Sequence, residues 1–174
     1  ELIEGDNFTQ FAQIVESVGL DNLNSWAMIL VNLSYSPQIN WYVKHINMNE
    51  TSNKGYIVSL LTDSGTNERA AGDIFRSFSR FLELPFNEVG MGYSNKEKNK
   101  ITSITRTAWQ TPDSRVVLYS LYKFAEACGD YYQFTLSRLL NHDIDSAGVS
   151  PTEIFGIDGD QMEKILNGLS VNYP

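Results

Sequence analysis

Apolar positions recur at helical spacing along most of this chain, and at a spacing of two in one short stretch. Phe8, Phe11, Ala12 and Val15 predict a first helix that stops at Gly19. Asp21 is placed to cap a second, whose face is Trp26, Ile29, Leu30 and Leu33. Ser36-Pro37 restarts the chain as an N-cap with proline at the first helical position, and Ile39, Tyr42, Val43 and Ile46 form the stripe that follows. Asn47–Lys54 is polar and reads as a loop.

Tyr56–Leu61 is then a short helix, Asp63-Ser64-Gly65 a turn, and Thr66 a cap for the next helix. On that helix Ala71, Ile74, Phe75, Phe78 and Leu82 make a continuous apolar face. The opposite face carries Arg69, Asp73, Arg76 and Arg80, and Pro85 ends the run. Two helices around a glycine-containing turn give a helix-turn-helix outline. Ile101–Trp109 alternates with a period of two and is rich in β-branched residues, as a strand requires. Before it, the polar run Ser94–Lys100 predicts the tip of a hairpin.

The remainder is helical. Thr111-Pro112 opens a helix with Val117, Leu121, Phe124, Ala125 and Cys128 on one face, and Gly129 stops it. Phe134, Leu136, Leu139 and Leu140 mark a short helix. Ser150-Pro151-Thr152-Glu153 combines a capping box with an N-terminal proline. Asp158 with Gln161 offers a similar cap to a last helix, whose stripe is Met162, Ile165, Leu166 and Leu169. The expected fold is therefore mainly α: a winged-helix-like lobe with a small β-hairpin over residues 1–110, and a helical C-terminal subdomain, 111–174, packed on it.

Charge changes this picture more than composition does. The 174-residue chain is acidic, with net charge −8. Yet residues 66–106 hold seven cations (Arg69, Arg76, Arg80, Lys96, Lys98, Lys100 and Arg106) against Glu68, Asp73, Glu83, Glu88 and Glu97. That window is +2 and the rest of the chain −10. A basic helix beside a basic hairpin tip is the footprint of a phosphate-backbone contact. The six candidates are Arg69, Arg76, Arg80, Lys96, Lys98 and Lys100, with DNA or RNA as the ligand. The competing reading is a solvated helix face whose arginines pair with nearby acids.

Candidate chemistry is otherwise thin. His45 and His142 have no neighbouring Cys or His, and the one cysteine, Cys128, lies on an apolar helix face, so neither a metal site nor a nucleophile is expected. Asp158-Gly159-Asp160 lacks the glutamate that a calcium loop needs, because Leu169 occupies that position. No phosphate-cradling glycine loop occurs, so no cofactor is expected. The sequons at Asn7, Asn32 and Asn49 read as chance matches. No apolar run approaches the ~20 residues of a membrane span. No signal peptide is expected, and a start at Glu1 with an end at Pro174 reads as a piece of a longer protein. A lone cysteine fits the cytoplasm.

One resemblance adds to this. VVLYSLYKFAEACGDYYQFTLSRLL at 116–140, GVSPTEIFGID at 148–158 and ILNGLSVNYP at 165–174 resemble the C-terminal region of certain bacterial phosphoadenosine phosphosulfate reductase-like proteins. The likeness extends upstream through Asn67-Glu68-Arg69-Ala70-Ala71 to cover roughly residues 22–174. A similar tail occurs in a domain of unknown function found beside DNA-phosphorothioation genes. The resemblance implies an upstream enzyme domain in a parent chain that is a reductase- or sulfotransferase-like enzyme. That domain's pyrophosphate loop and redox cysteine have no counterpart here, so no catalytic residue carries over. The expectation is a non-catalytic accessory domain that binds a nucleic acid. The alternative is a protein-interaction or oligomerisation module, and an enzyme in its own right ranks third.

Overall fold

A computed structural model describes residues 2–4, 7–83, 85–141 and 147–172. Its described residues are mainly helical, with a small three-stranded antiparallel sheet. The chain begins with a short hairpin, β1 (Ile3–Glu4) and β2 (Asn7–Phe8), and three helices follow: α1 (Gln10–Val18), α2 (Leu23–Leu33) and α3 (Pro37–His45). Then come β3 (Thr51–Asn53), α4 (Lys54–Asp63) and α5 (Glu68–Phe81). A 3-10 turn at Phe86–Val89 leads into β4 (Tyr93–Glu97) and β5 (Lys100–Thr105). The chain closes with α6 (Ser114–Ala127), α7 (Leu136–Leu140), α8 (Pro151–Phe155) and α9 (Gly159–Asn172).

Apolar periodicity placed the helices, though not every stripe: Phe8 lies in β2 and is exposed, and α2 buries Ala27, Met28, Leu30 and Val31 while Trp26, Ile29 and Leu33 are half-buried. Ala71, Phe75, Phe78 and Leu82 of the α5 region are all buried, with Ile74 half-buried beside them. One core cluster contains Ala27, Tyr42, Phe78, Ile104, Val117, Phe155 and Met162, so residues from both ends of the chain share an interior. α2 packs on both α6 and α8. Phe78 is central to it: its ring stacks on Trp41 at 6.0 Å and tilts against Tyr42 at 5.1 Å. Three caps sit one or two residues from their expected places. Asn22, not Asp21, caps α2; Asn67, not Thr66, caps α5; Asp113 caps α6. In each case a side-chain oxygen accepts a backbone N–H that the helix leaves unpaired. The capping box before α8 forms fully: Glu153 N–H donates to Ser150 Oγ at 3.2 Å, and Ser150 N–H to Glu153 Oε2 at 2.9 Å.

The strands depart from the sequence reading at the β1–β2 hairpin, which takes Phe8 out of the expected first helix, and in two places in the three-stranded sheet. Asn47–Lys54 is not a plain loop, since Thr51–Asn53 forms a sheet strand on the far edge of β5. Its only buried side chain is Ser52, so no apolar alternation announced it. The strand expected to run to Trp109 ends at Thr105. Sheet order is β3-β5-β4. Ile104, fully buried, points into the core with Ser52. Thr51, Thr105 and Asn95 lie on the other face and bond one another, with hydroxyls 2.8 Å apart across β3–β5 and Asn95 Nδ2 donating to Thr105 Oγ1 at 3.1 Å.

Beyond Thr105 the chain turns inward at Arg106. A close passage makes this possible. A Cβ on Gly92 would sit 2.0 Å from the Thr105 carbonyl oxygen, and Gly92 has φ 85°, so glycine alone fits there. No helix among the described residues is long and apolar enough to cross a membrane.

Candidate nucleic-acid interface

α5 is fixed by its ends as well as by its buried stripe. Asn67 Oδ1 accepts from Ala70 N–H at 2.9 Å, Glu68 stands in the first turn and Arg80 in the last, each matching the helix dipole. α4 packs along it, joined through Ser64–Asn67. The face away from the core presents Arg69, Asp73, Arg76 and Arg80 to solvent. Arg76 forms an ion pair with Asp73 one turn back. Among the described residues, no carboxylate lies within ion-pair distance of Arg69 or Arg80.

The hairpin is tighter than the sequence suggested. The polar run is not all loop: its ends lie in β4 and β5, and the turn is only Lys98-Asn99. Both residues take left-handed angles, φ 46° and 62°, the geometry of a two-residue turn matched to sheet twist. Lysine there lacks glycine's freedom, so the tip carries local backbone strain. Lys98 is therefore held outward at the apex, with Lys96 and Lys100 on the strands behind it. Glu97 sits directly opposite Lys100 and offsets part of its charge. Lys96 Nζ lies 4.0 Å from Glu83 Oε1, just past the end of α5. This contact links the hairpin to the segment that follows α5. All six sequence candidates are exposed.

Arg106, counted with them in the basic window, is a different object. It is 2% exposed, and among the described residues it meets no carboxylate and its guanidinium donates only to carbonyls. Nη1 donates to Val43 at 2.6 Å and Ile46 at 3.0 Å, Nε to Gly90 at 3.3 Å, and Nη2 to Glu153 and to Ile154 at 3.3 Å. These acceptors belong to the C-terminal ends of α3, the 3-10 turn and α8, where helical carbonyls go unpaired and the dipole is negative. Its charge centre lies 5.6 Å from the Tyr42 ring centroid. Burial pulls the guanidinium down to about 10, with Tyr42 and Glu153 acting the other way. Tyr42 donates its own hydroxyl to the Met91 carbonyl at 2.6 Å. The window's exposed charge therefore drops from +2 to +1. Sequence reasoning missed this residue as a structural post. The available signal was parity: Arg106 is two positions from Ile104, on the inward phase of the strand.

The remaining sequence candidates take ordinary places. His45 is exposed, stacks on Trp41 at 4.8 Å and shares a hydrogen bond with its carbonyl; His142 lies outside the described residues. Cys128 is the half-buried C-cap of α6. Asp158 Oδ1 accepts from Gln161 N–H at 2.8 Å, so it caps α9. Asn32 is half-buried within α2 and accepts from the Tyr119 hydroxyl at 2.9 Å. No group of three His, Cys, Asp or Glu side chains among the described residues is placed to hold a metal ion. The arrangement offers cations and hydrogen-bond donors on an exposed helix and hairpin, chemistry suited to phosphate oxygens.

Set against known protein families, curated proteins and solved structures, the chain matches none.

Proposed function

We propose that this chain is a non-catalytic nucleic-acid-binding module with a winged-helix arrangement. α4 and α5 act as the helix-turn-helix, α5 as the recognition helix, and β4–β5 as the wing. The observation that supports this reading is the path α3-β3-α4-α5-β4-β5 with sheet order β3-β5-β4, together with the exposed cations of α5 and of the hairpin. Contacts run mainly to phosphates, because arginine and lysine are the groups on offer and the exposed excess is small. The resemblance of residues 22–174 to the tail of phosphoadenosine phosphosulfate reductase-like proteins supports a place beside an upstream enzyme domain. There the module positions a nucleic acid for that domain.

Fluorescence anisotropy with labelled duplex and single-stranded oligonucleotides tests this. Affinity is expected at roughly 10⁻⁴ to 10⁻⁶ M and should fall between about 50 and about 200 mM salt, with each phosphate contact adding about 0.9 to the log–log slope. Arg76→Glu with Arg80→Glu should abolish binding, whereas Lys164→Glu, at an exposed position of α9, should not. No binding at the lower salt, or an equal loss with Lys164→Glu, overturns the reading and leaves a protein-interaction module in its place.

A further inference from the structure

The half of the chain that the nucleic-acid reading does not use has a surface of its own. Among the described residues the exposed tyrosines number five, and three of them, Tyr122, Tyr131 and Tyr132, stand within one eleven-residue stretch around the end of α6. Tyr122 and Tyr132 rim a groove of about 330 Å³ between α6, the loop after it, α7 and α9, and Tyr131 packs on Phe134 of its lining. Its floor is apolar, formed by Leu121, Phe134, Leu139 and Leu166.

The rim is held in place. α6 ends in a double hydrogen-bonded turn: Asp130 N–H donates to Ala125 at 2.9 Å and Gly129 N–H to Glu126 at 3.2 Å. Asp130 follows Gly129 into the left-handed region, φ 60°, an uncommon conformation for a residue with a Cβ. The two-residue reversal swings Tyr131 and Tyr132 back beside the helix. Tyr132 then meets Tyr122 edge-on, centroids 6.1 Å apart and planes at 62°. Tyr131 packs its edge on Phe134 at 6.2 Å, and Phe134 on the buried Phe124 at 5.0 Å. Rings anchored this way lose little entropy on binding, yet Tyr122 and Tyr132 remain 56% and 58% exposed.

One carboxylate stands beside the rim. Asp130 accepts from the Tyr132 hydroxyl at 3.3 Å, and no cation among the described residues pairs with it. Partial desolvation, then Asp130, Glu126 and Tyr122, push the Tyr132 phenol up. Lys123 is engaged with Glu126, and Arg138 of α7 is half-buried with its Nε inside the fold. The carboxylate left free to meet an incoming charge is Asp130. Aromatic faces beside an unpaired carboxylate favour a guanidinium or ammonium, and the apolar floor favours a neighbouring aliphatic or aromatic side chain.

We propose that this groove docks a basic peptide segment of a partner protein, with an Arg or Lys side chain seated against Tyr122, Tyr132 and Asp130 and an adjacent apolar residue filling the floor over Leu121, Phe134 and Leu166. None of these residues lies in 66–106, so the proposal stands or falls apart from the nucleic-acid reading.

A phage-displayed library of random 12-residue peptides, selected on the immobilised chain, is the probe. Enriched peptides should carry Arg or Lys next to an aliphatic or aromatic residue. A synthetic peptide of the enriched sequence should lose at least about tenfold in affinity on Tyr132→Ala or Tyr122→Ala, and about threefold or more on Asp130→Asn. Asparagine tolerates the left-handed turn and the tyrosines are exposed, so the thermal midpoint should stay unchanged; a variant that melts early is replaced by Asp130→Ser. Tyr132→Phe keeps the ring and should keep the affinity. Failure to enrich, enrichment of acidic or neutral peptides, or affinity indifferent to Tyr132→Ala overturns the proposal. So does a Tyr132→Phe loss equal to that of Tyr132→Ala. Sedimentation velocity gives the remaining outcome: a dimer dissolved by Tyr132→Ala means a second copy covers the groove, and the basic-peptide assignment fails.

Discussion

Two arginines thirty positions apart, Arg76 and Arg106, contribute identically to the charge of the basic window and differ in almost everything else. Arg76 stands on the solvent face of α5 with one partner, Asp73, a turn away on the same helix. Arg106 is sealed in the core with five carbonyl acceptors from three separate segments. The first can be reoriented by any ligand that offers a phosphate. The second cannot move without unpairing the ends of α3, the 3-10 turn and α8 together. A tally of lysines and arginines thus overstates a binding surface whenever one cation is used as an internal brace. The comparison also shows what the brace does. It fixes β5 to α3 and α8, and β5 is the strand that carries the hairpin.

The largest effect expected from breaking this comparison is on Arg106. Arg106→Met keeps the volume and removes every donor, so five buried carbonyl acceptors lose that partner. The loss should be about 3–5 kcal/mol in a urea titration, with the slope unchanged if unfolding stays two-state. Arg106→Lys should recover only part, because three tetrahedral donors cannot reach acceptors laid out for a planar fork. A cost below about 1 kcal/mol for Arg106→Met would mean that water replaces the guanidinium easily, and that the core is looser there than its burial indicates.

How far the sequence disclosed this molecule depended on how local each feature is. α5 was legible except for its cap, which is Asn67 rather than Thr66: its stripe, its arginine face and its glycine-containing entry all lie within twenty residues. So were the capping box at Ser150 and the cap at Asp158, which are contacts between residues three apart. β3 was not, because Thr51-Ser52-Asn53 becomes a strand only by pairing with residues fifty positions later. The hairpin was half legible. Its polarity was plain, but a two-residue turn through Lys98 and Asn99 breaks the usual preference for glycine, and the run read as a longer loop. Arg106 was hidden for the same reason as β3, since its acceptors lie 16 to 63 positions away. The tyrosine rim was hidden too: aromatics such as Tyr122, Tyr131 and Tyr132 read as core or lobe-interface residues, yet all three are exposed, and the turn that brings the last two back beside α6 depends on a left-handed aspartate.

A middle-sized effect should separate the parts of the brace. Tyr42 donates to Met91 beside the guanidinium, and burial pushes its phenol well above its usual value, with Arg106 opposing. A phenol that holds its proton longer folded than unfolded contributes fully below its unfolded value of 10.0; that contribution is lost as pH rises past it. Arg106, pulled to about 10 from 12.5, has the opposite sign and gains back stability over that interval. Tyr42→Phe removes the phenol's share alone. It should cost about 1–2 kcal/mol near pH 8, where the Met91 carbonyl loses its partner, and the gap to the unaltered chain should narrow above about pH 10. A gap that stays constant through alkaline pH would show that the phenol ionises freely and is not sealed beside Arg106.

The smallest effect is the one that makes the contrast sharpest. Arg76→Ala removes an exposed cation whose one ion-pair partner among the described residues, Asp73, is itself exposed and one turn away on the same helix. Pairs of this kind contribute about 0.2–1 kcal/mol, and salt screens them further. Alanine also has the highest helix propensity, which offsets part of that loss. The net change in stability should lie within about 0.5 kcal/mol of zero and shrink at high salt. Chemical denaturation at low and high ionic strength measures it directly. If Arg76→Ala instead cost as much as Arg106→Met, the α5 face would be a packed surface rather than a free one. Its arginines would then be spoken for, and unavailable to a phosphate backbone.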